Sequence, residues 1–173
     1  MDELNRMSAD EFRQAKKIPV ILILDNIRSG YNVGSIFRTA DAFRIREIIC
    51  CGYSASPPNR DVMKTALGAT ESVHWKTAAS ALDTISDLKK ENWKIFALEQ
   101  TTASIPLINF LPETGFGYAF ILGNEVSGVD TSLLEQCDGA IEIPQFGTKH
   151  SMNVAVSAGI LLWEIQKKIS DRQ

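Results

Sequence analysis

The sequence predicts an α/β fold, a mostly parallel sheet sandwiched by helices. Three observations predict it. Apolar runs of strand length recur along the chain, segments with helical spacing alternate with them, and the runs are continuous rather than alternating in hydrophobicity. Continuous apolar strands are those covered on both faces, which is the arrangement of a parallel sheet inside two helical layers.

The elements follow in order. Residues 1–17 are polar and charged, with Ser8 placed to cap a short helix and Glu11 at the capping-box position, so they read as a solvated helical lead-in. The first strand is Val20 to Leu24, followed by helical spacing over Val33 to Phe43 and a second strand at Glu47 to Cys51. Helices are expected over Arg60 to Leu67 and Ala78 to Lys90, strands at Trp93 to Leu98 and Tyr118 to Leu122. A short helix over Thr131 to Gln136, a strand at Ala140 to Ile143 and a long helix over Ser151 to Ile169 complete the chain. The last helix is apolar nearly all round from Val154 to Trp163, and Ala155, Ala158 and Gly159 allow close approach of another element. Such a helix is expected to be buried, in the domain or against a partner chain. No repeat, low-complexity tract or linker interrupts the sequence, so residues 1–173 read as one domain.

Composition narrows the function classes. With 45% hydrophobic and 23% charged residues, the chain is neither disordered nor a disulfide-dependent miniprotein. Cys50, Cys51 and Cys137 form no CxxC pair, which disfavours a zinc site or disulfide framework and suits a reducing, cytoplasmic compartment. Neither a signal peptide nor a run of the roughly 20 apolar residues that span a bilayer is present. The 21 acidic and 18 basic residues give a net charge of −3, so no global positive field advertises nucleic acid.

Ligands of α/β sheets bind beyond the carboxyl ends of the strands. Three segments there stand out. Asp25 to Ala40, DNIRSGYNVGSIFRTA, places Gly30 and Gly34 in a loop before a helix beginning near Asn32, where glycines permit positive φ or close approach and a helix start offers N–H groups to an anion. It is neither a Walker A loop nor a GxGxxG fingerprint, which disfavours a nucleotide-dependent dehydrogenase. Ile121 to Asp130, ILGNEVSGVD, sets the Glu125 carboxylate in a glycine loop, a placement that packing does not explain. Ile141 to Val156, IEIPQFGTKHSMNVAV, runs from strand through a Gly147 loop to Ser151 and Asn153 at a helix start, where Ser151 is equally well read as an N-cap.

Taken together, these segments resemble the three motifs of the SpoU (TrmH) class of the SPOUT superfamily of RNA methyltransferases. NVGSIFRTA at Asn32 to Ala40, LGNEVSG at Leu122 to Gly128 and IPQFGTKHSMNVAVSAG at Ile143 to Gly159 carry the resemblance in order, spacing and residue type, within a match from Val20 to about Gln166. The resemblance implies methyl transfer from S-adenosylmethionine to a ribose 2′-hydroxyl of tRNA or rRNA, by a homodimer whose C-terminal segment is threaded into a deep trefoil knot. It implies a cofactor site around Leu98, Gln100, Thr101, Leu122, Gly123, Gly128, Ile143, Met152 and Asn153. Arg38 is implied to engage the ribose hydroxyl and is proposed as its base, with Asn32, Glu125, Ser151 and Asn153 organising the site. A guanidinium normally stays protonated, so the requirement for Arg38 is kept separate from its proton role. No metal is implied.

The remaining candidates divide simply. His74, beside Trp75, is expected to be packed rather than catalytic, and the Ser151–His150 adjacency is no triad without a positioned third group. Cys50 and Cys51 are expected in the core. From Asn26 to Lys64 the residues Arg28, Arg38, Arg44, Arg46, Arg60 and Lys64 outnumber Asp41, Glu47 and Asp61. That stretch is a candidate phosphate-contacting surface, with Arg28, Arg60, Lys64 and Lys149 as its RNA-binding candidates and a dispersed solvated surface as the alternative. A SPOUT-like module that binds RNA or cofactor without catalysis is the alternative function.

Overall fold

The computed structural model describes residues 7–149 and 151–170. Seven strands form one sheet, β1 (Ile18–Asp25), β2 (Ile45–Cys51), β3 (Trp75–Ala78), β4 (Trp93–Leu98), β5 (Ile105–Pro106), β6 (Gly117–Leu122) and β7 (Gly139–Glu142). Their order is β3-β2-β1-β6-β4-β7-β5 and every pairing is parallel. The helices are α1 (Ala9–Gln14), α2 (Gly30–Ala42), α3 (Arg60–Ala66), α4 (Ala69–Ser72), α5 (Ala81–Lys90), α6 (Thr131–Leu134) and α7 (Val154–Ser170).

The continuous apolar strands bury both faces, as their sequence requires. Val20, Leu22 and Leu24 of β1 join Ile48, Phe120 and Leu122 on one side, under α2 and α7. Ile21 and Ile23 join Ile49, Ile95, Ala97 and Ile121 on the other, under α5. The alternating side-chain direction of a strand sorts consecutive residues into these two cores.

Several expectations are corrected. The five expected strands are seven: β3 and β5 lie on the sheet edges, where Lys76, Thr77 and Ile105 remain exposed and little apolar signal is needed. The helix expected from Ala78 begins at Ala81, because Ala78 ends β3 and the Ser80 hydroxyl accepts the Leu82 and Asp83 N–H groups. The lead-in helix forms with its capping box, Ser8 and Glu11 each accepting from the other's backbone, yet it is not simply solvated: Phe12 is buried in the core. Gly30 and Gly34 lie inside α2, without positive φ, and face α3 rather than a ligand. A Cβ on Gly34 would sit inside 3.0 Å of the Val62 carbonyl oxygen, so the pair exists for close helix packing.

Candidate functional site

The site is assembled at the carboxyl ends of β1, β4, β6 and β7. Since β6 lies between β1 and β4, the chain order switches there, and loops leaving neighbouring strands diverge to open a crevice. A cleft of about 850 Å³ occupies it, within the range of small-molecule sites. Its walls come from three stretches: residues 98–101 after β4, 122–129 after β6, and 141–145 after β7 continuing to Ser151, Met152 and Asn153.

The β6 loop is the most constrained of these. Asn124 and Gly128 exchange two backbone hydrogen bonds, at 3.1 and 2.9 Å, closing a tight turn that carries Glu125, Val126 and Ser127 at its tip. Asn124 Oδ1 accepts the Val126 and Ser127 N–H groups, while its Nδ2 donates to the Asn26 carbonyl at 2.8 Å. Gly123 makes the turn possible: a Cβ there would lie inside 3.0 Å of the Gly128 carbonyl and the Val129 nitrogen. Gly128 holds φ 69°, and Glu99 fixes the far side by accepting the Val129 N–H at 3.0 Å.

A chain of side-chain hydrogen bonds crosses the rim. Asn153 Nδ2 donates to Asn32 Oδ1 at 3.0 Å, and Asn32 Nδ2 donates to Glu125 Oε1 at 3.1 Å. One residue from each motif is thus joined, across 121 and 93 positions of sequence. Asn153 also caps α7, its Oδ1 accepting from Ala155 and Val156. That role had been an alternative for Ser151, which instead lies exposed on the cleft wall before the helix starts.

All nine residues expected around a cofactor line this cleft, Leu98, Gln100, Thr101, Leu122, Gly123, Gly128, Ile143, Met152 and Asn153, together with Asn32, Glu125 and Ser151. Arg38 does not. It is exposed on α2, six residues beyond Asn32, or about 9 Å along the helix axis. Asp41, three residues further along α2, accepts a hydrogen bond from Ser72. Sequence reasoning passed over Glu99 and Asn124, which hold the β6 loop; an acidic residue directly after a strand and an Asx turn residue inside a glycine loop were the available signals.

The basic candidates separate by position. Arg28, Arg60 and Lys64 are exposed near the ends of β1 and β2 that face the cleft, with Lys64 Nζ 5.6 Å from the Tyr31 ring centroid. Lys149 is exposed on the loop between Gln145 and Ser151, both cleft residues. Arg44 and Arg46 sit at the start of β2, one strand length away, so they do not share that surface. His74 is exposed, contrary to expectation, while its carbonyl oxygen accepts from Ile48. His150 lies outside the described residues. Cys50 and Cys51 are buried as expected, and burial pushes the Cys50 thiol up to about 12. Asp25, at the end of β1, is only 7% exposed, and burial raises its carboxyl above the ordinary range.

The profile of the SpoU rRNA Methylase family matches residues 19–163. The chain belongs to this family. Over 159 residues it is 34% identical to the 23S rRNA (guanosine-2′-O-)-methyltransferase RlmB of Neisseria meningitidis serogroup B, covering 92% of this chain and 62% of that protein. It is equally similar, at 34%, to an uncharacterized tRNA/rRNA methyltransferase of Borreliella burgdorferi, covering 90% of this chain and 67% of that one. The fold matches the AdoMet-bound rRNA methyltransferase of Sinorhizobium meliloti with a TM-score of 0.81 at 24% identity, over 90% of this chain and 59% of that one. The chain therefore spans about three fifths to two thirds of the length of these relatives. Among the described residues, no helix is long and apolar enough to cross a membrane and no group of three acidic, His or Cys side chains is placed to hold a metal.

Proposed function

We propose that this SpoU family chain transfers a methyl group from S-adenosylmethionine to a ribose 2′-hydroxyl of tRNA or rRNA, in the cytoplasm and without a metal. The observation that carries the reading is the rim chain Asn153–Asn32–Glu125 on a cleft whose walls are the three motif loops. The cofactor fits these walls: Leu98, Ile143 and Met152 offer apolar surface to an adenine, and Gly123 and Gly128 leave backbone rather than side chain at the β6 loop. When bound, S-adenosylmethionine supplies a methyl already activated by the sulfonium charge. The protein's task is then alignment of the hydroxyl and removal of one proton. Glu125, positioned by Asn32, offers an acceptor at the rim, and Ser151 and Asn153 offer groups to orient the ribose.

Arg38 completes the site from outside the cleft, and a homodimer supplies the reason. Helix α7 buries Ala158, Leu161, Leu162 and Ile165 but leaves Val156, Ile160 and Trp163 exposed along one face, Trp163 by 63%. A Cβ built on Gly159 would come within 3.9 Å of Thr39 Cγ2, so α2 and α7 run close together there and a second copy covering the stripe would approach the α2 turn that carries Arg38. The trefoil knot belongs to the same proposal. After β7 the chain lines the cleft beside residues 98–101 and 122–129 before α7 returns to α2, a path compatible with such threading.

Incubating the purified protein with labelled S-adenosylmethionine and total RNA tests the reading. Product should be 2′-O-methylated nucleoside in the tRNA or rRNA fraction. Cofactor binding without methylation of either RNA would leave the non-catalytic module in its place.

A further inference from the structure

The loop 52–59 between β2 and α3 has a firmly held backbone and yet presents an aromatic ring to solvent. Gly52 holds φ 59° and donates to the Ala78 carbonyl at 3.0 Å, while the Tyr53 N–H donates to Asn26 Oδ1 at 3.0 Å. Ser54 Oγ donates to the Leu24 carbonyl at 2.7 Å and accepts the Ile27 N–H at 2.9 Å. A Cβ on Gly52 would collide with Asn26 Oδ1, so a side-chain-free residue is what lets Tyr53 seat there. Tyr53 itself is 79% exposed. A lone exposed apolar residue is ordinary; one whose backbone is anchored to the same residue as the Glu125 loop is not.

Its position is defined by Asn26. The same residue accepts Asn124 Nδ2 on its carbonyl, so the Tyr53 loop and the Glu125 loop hang from one point at the end of β1. Exposed cations stand at the edges of the loop. Ala55 donates to the Ile27 carbonyl at 2.9 Å, which sets Arg28 next to the loop, and Arg60 opens α3 as the loop ends. Tyr31, the neighbouring exposed tyrosine, already has Lys64 over its ring, whereas Tyr53 has a free face among the described residues. Aromatic faces interleaved with cations are how proteins hold unpaired nucleotides.

We propose that Tyr53 is a stacking platform for an unpaired base of the RNA, next to the nucleotide whose ribose enters the cleft. The assignment rests on the RNA methyl-transfer reading. Seating a single ribose inside a concave cleft draws its nucleotide away from its stacked neighbours, and an aromatic side chain on an anchored backbone restores part of the stacking lost.

Binding of a fluorescein-labelled single-stranded RNA to the intact protein, with S-adenosylhomocysteine present, is the test. Tyr53→Ala should weaken affinity about tenfold and Tyr53→Leu nearly as much, while Tyr53→Phe stays within about twofold. The salt slope should not change in any of them, since no phosphate contact is lost, whereas Arg60→Ala should reduce it. An RNA carrying 5-iodouridine should photocrosslink to the peptide containing Tyr53. RNA affinity unchanged in Tyr53→Ala, wild-type affinity in Tyr53→Leu, or a crosslink confined to other peptides would overturn the stacking role alone. A wild-type protein that binds S-adenosylmethionine but no RNA would overturn this proposal together with the one beneath it.

Discussion

Replacing Gly123 by alanine should disable the cofactor cleft while leaving the fold intact. The added Cβ falls inside 3.0 Å of the carbonyl carbon and oxygen of Gly128 and of the Val129 nitrogen, all backbone atoms that no rotamer change can clear. Reaching an ordinary contact near 3.5 Å requires the turn to open by about 1 Å. That movement breaks the two hydrogen bonds exchanged by Asn124 and Gly128, each worth about 1 kcal/mol, and overpacking adds about 1–3 kcal/mol. The total, about 3–5 kcal/mol, is charged to the loop conformation that lines the cleft. At 1.4 kcal/mol per decade, S-adenosylmethionine should bind roughly a hundred- to four-thousandfold more weakly. Titration calorimetry measures this directly, and a thermal melt separates it from global unfolding. Gly147→Ala is the matched control, because a Cβ there meets nothing within 4 Å and binding should be unaffected. A Gly123→Ala protein whose dissociation constant stays within about threefold of wild type would refute the claim that this turn shapes the site.

Three further outcomes are expected. Asn32→Ala removes both rim hydrogen bonds, a loss of about 1.5–2 kcal/mol at an exposed site, so kcat/KM should fall about ten- to thirtyfold; adding Glu125→Gln should cost much less than the sum of the two, as a double-mutant cycle would read. Asp25 has a raised carboxyl in the folded state, so the fold binds that proton more tightly than the unfolded chain and loses stability as pH rises through the ordinary carboxylate range. Asp25→Asn should therefore raise the melting temperature at pH 7, with the gain vanishing below about pH 4. Ile160→Asp places a charge in the exposed α7 stripe, so sedimentation velocity should register monomer and methyl transfer should be lost while cofactor binding persists.

What the sequence disclosed and what it hid follow from the same physics. Strands β1, β2, β4, β6 and β7 were legible because burial on both faces demands uninterrupted apolar residues. β3 and β5 were not, because each pairs on one side only and WKTA and IP carry no such demand. The cleft residues were legible through motif resemblance, since a strand end followed by glycines marks a loop but cannot say which loops meet. Only the fold brings Asn32, Glu125 and Asn153 into one bonded chain. Gly30 and Gly34 misled in an instructive way: a helix–helix contact and a ligand loop make the same demand for absent side chains, and sequence does not distinguish who approaches. The acidic net charge was uninformative, since it says nothing about Arg28, Arg60 and Lys64 lying exposed at one end of the sheet.

Asn26 is held at φ 55° and serves two masters, its side chain anchoring the Tyr53 loop and its carbonyl anchoring the β6 turn. Two ligands that each settle one of these loops would therefore help each other. By thermodynamic reciprocity, whatever factor S-adenosylmethionine adds to RNA affinity, RNA must add to cofactor affinity. For the proposed RNA methyl transfer, positive coupling through Asn26 would favour the ternary complex over either binary one.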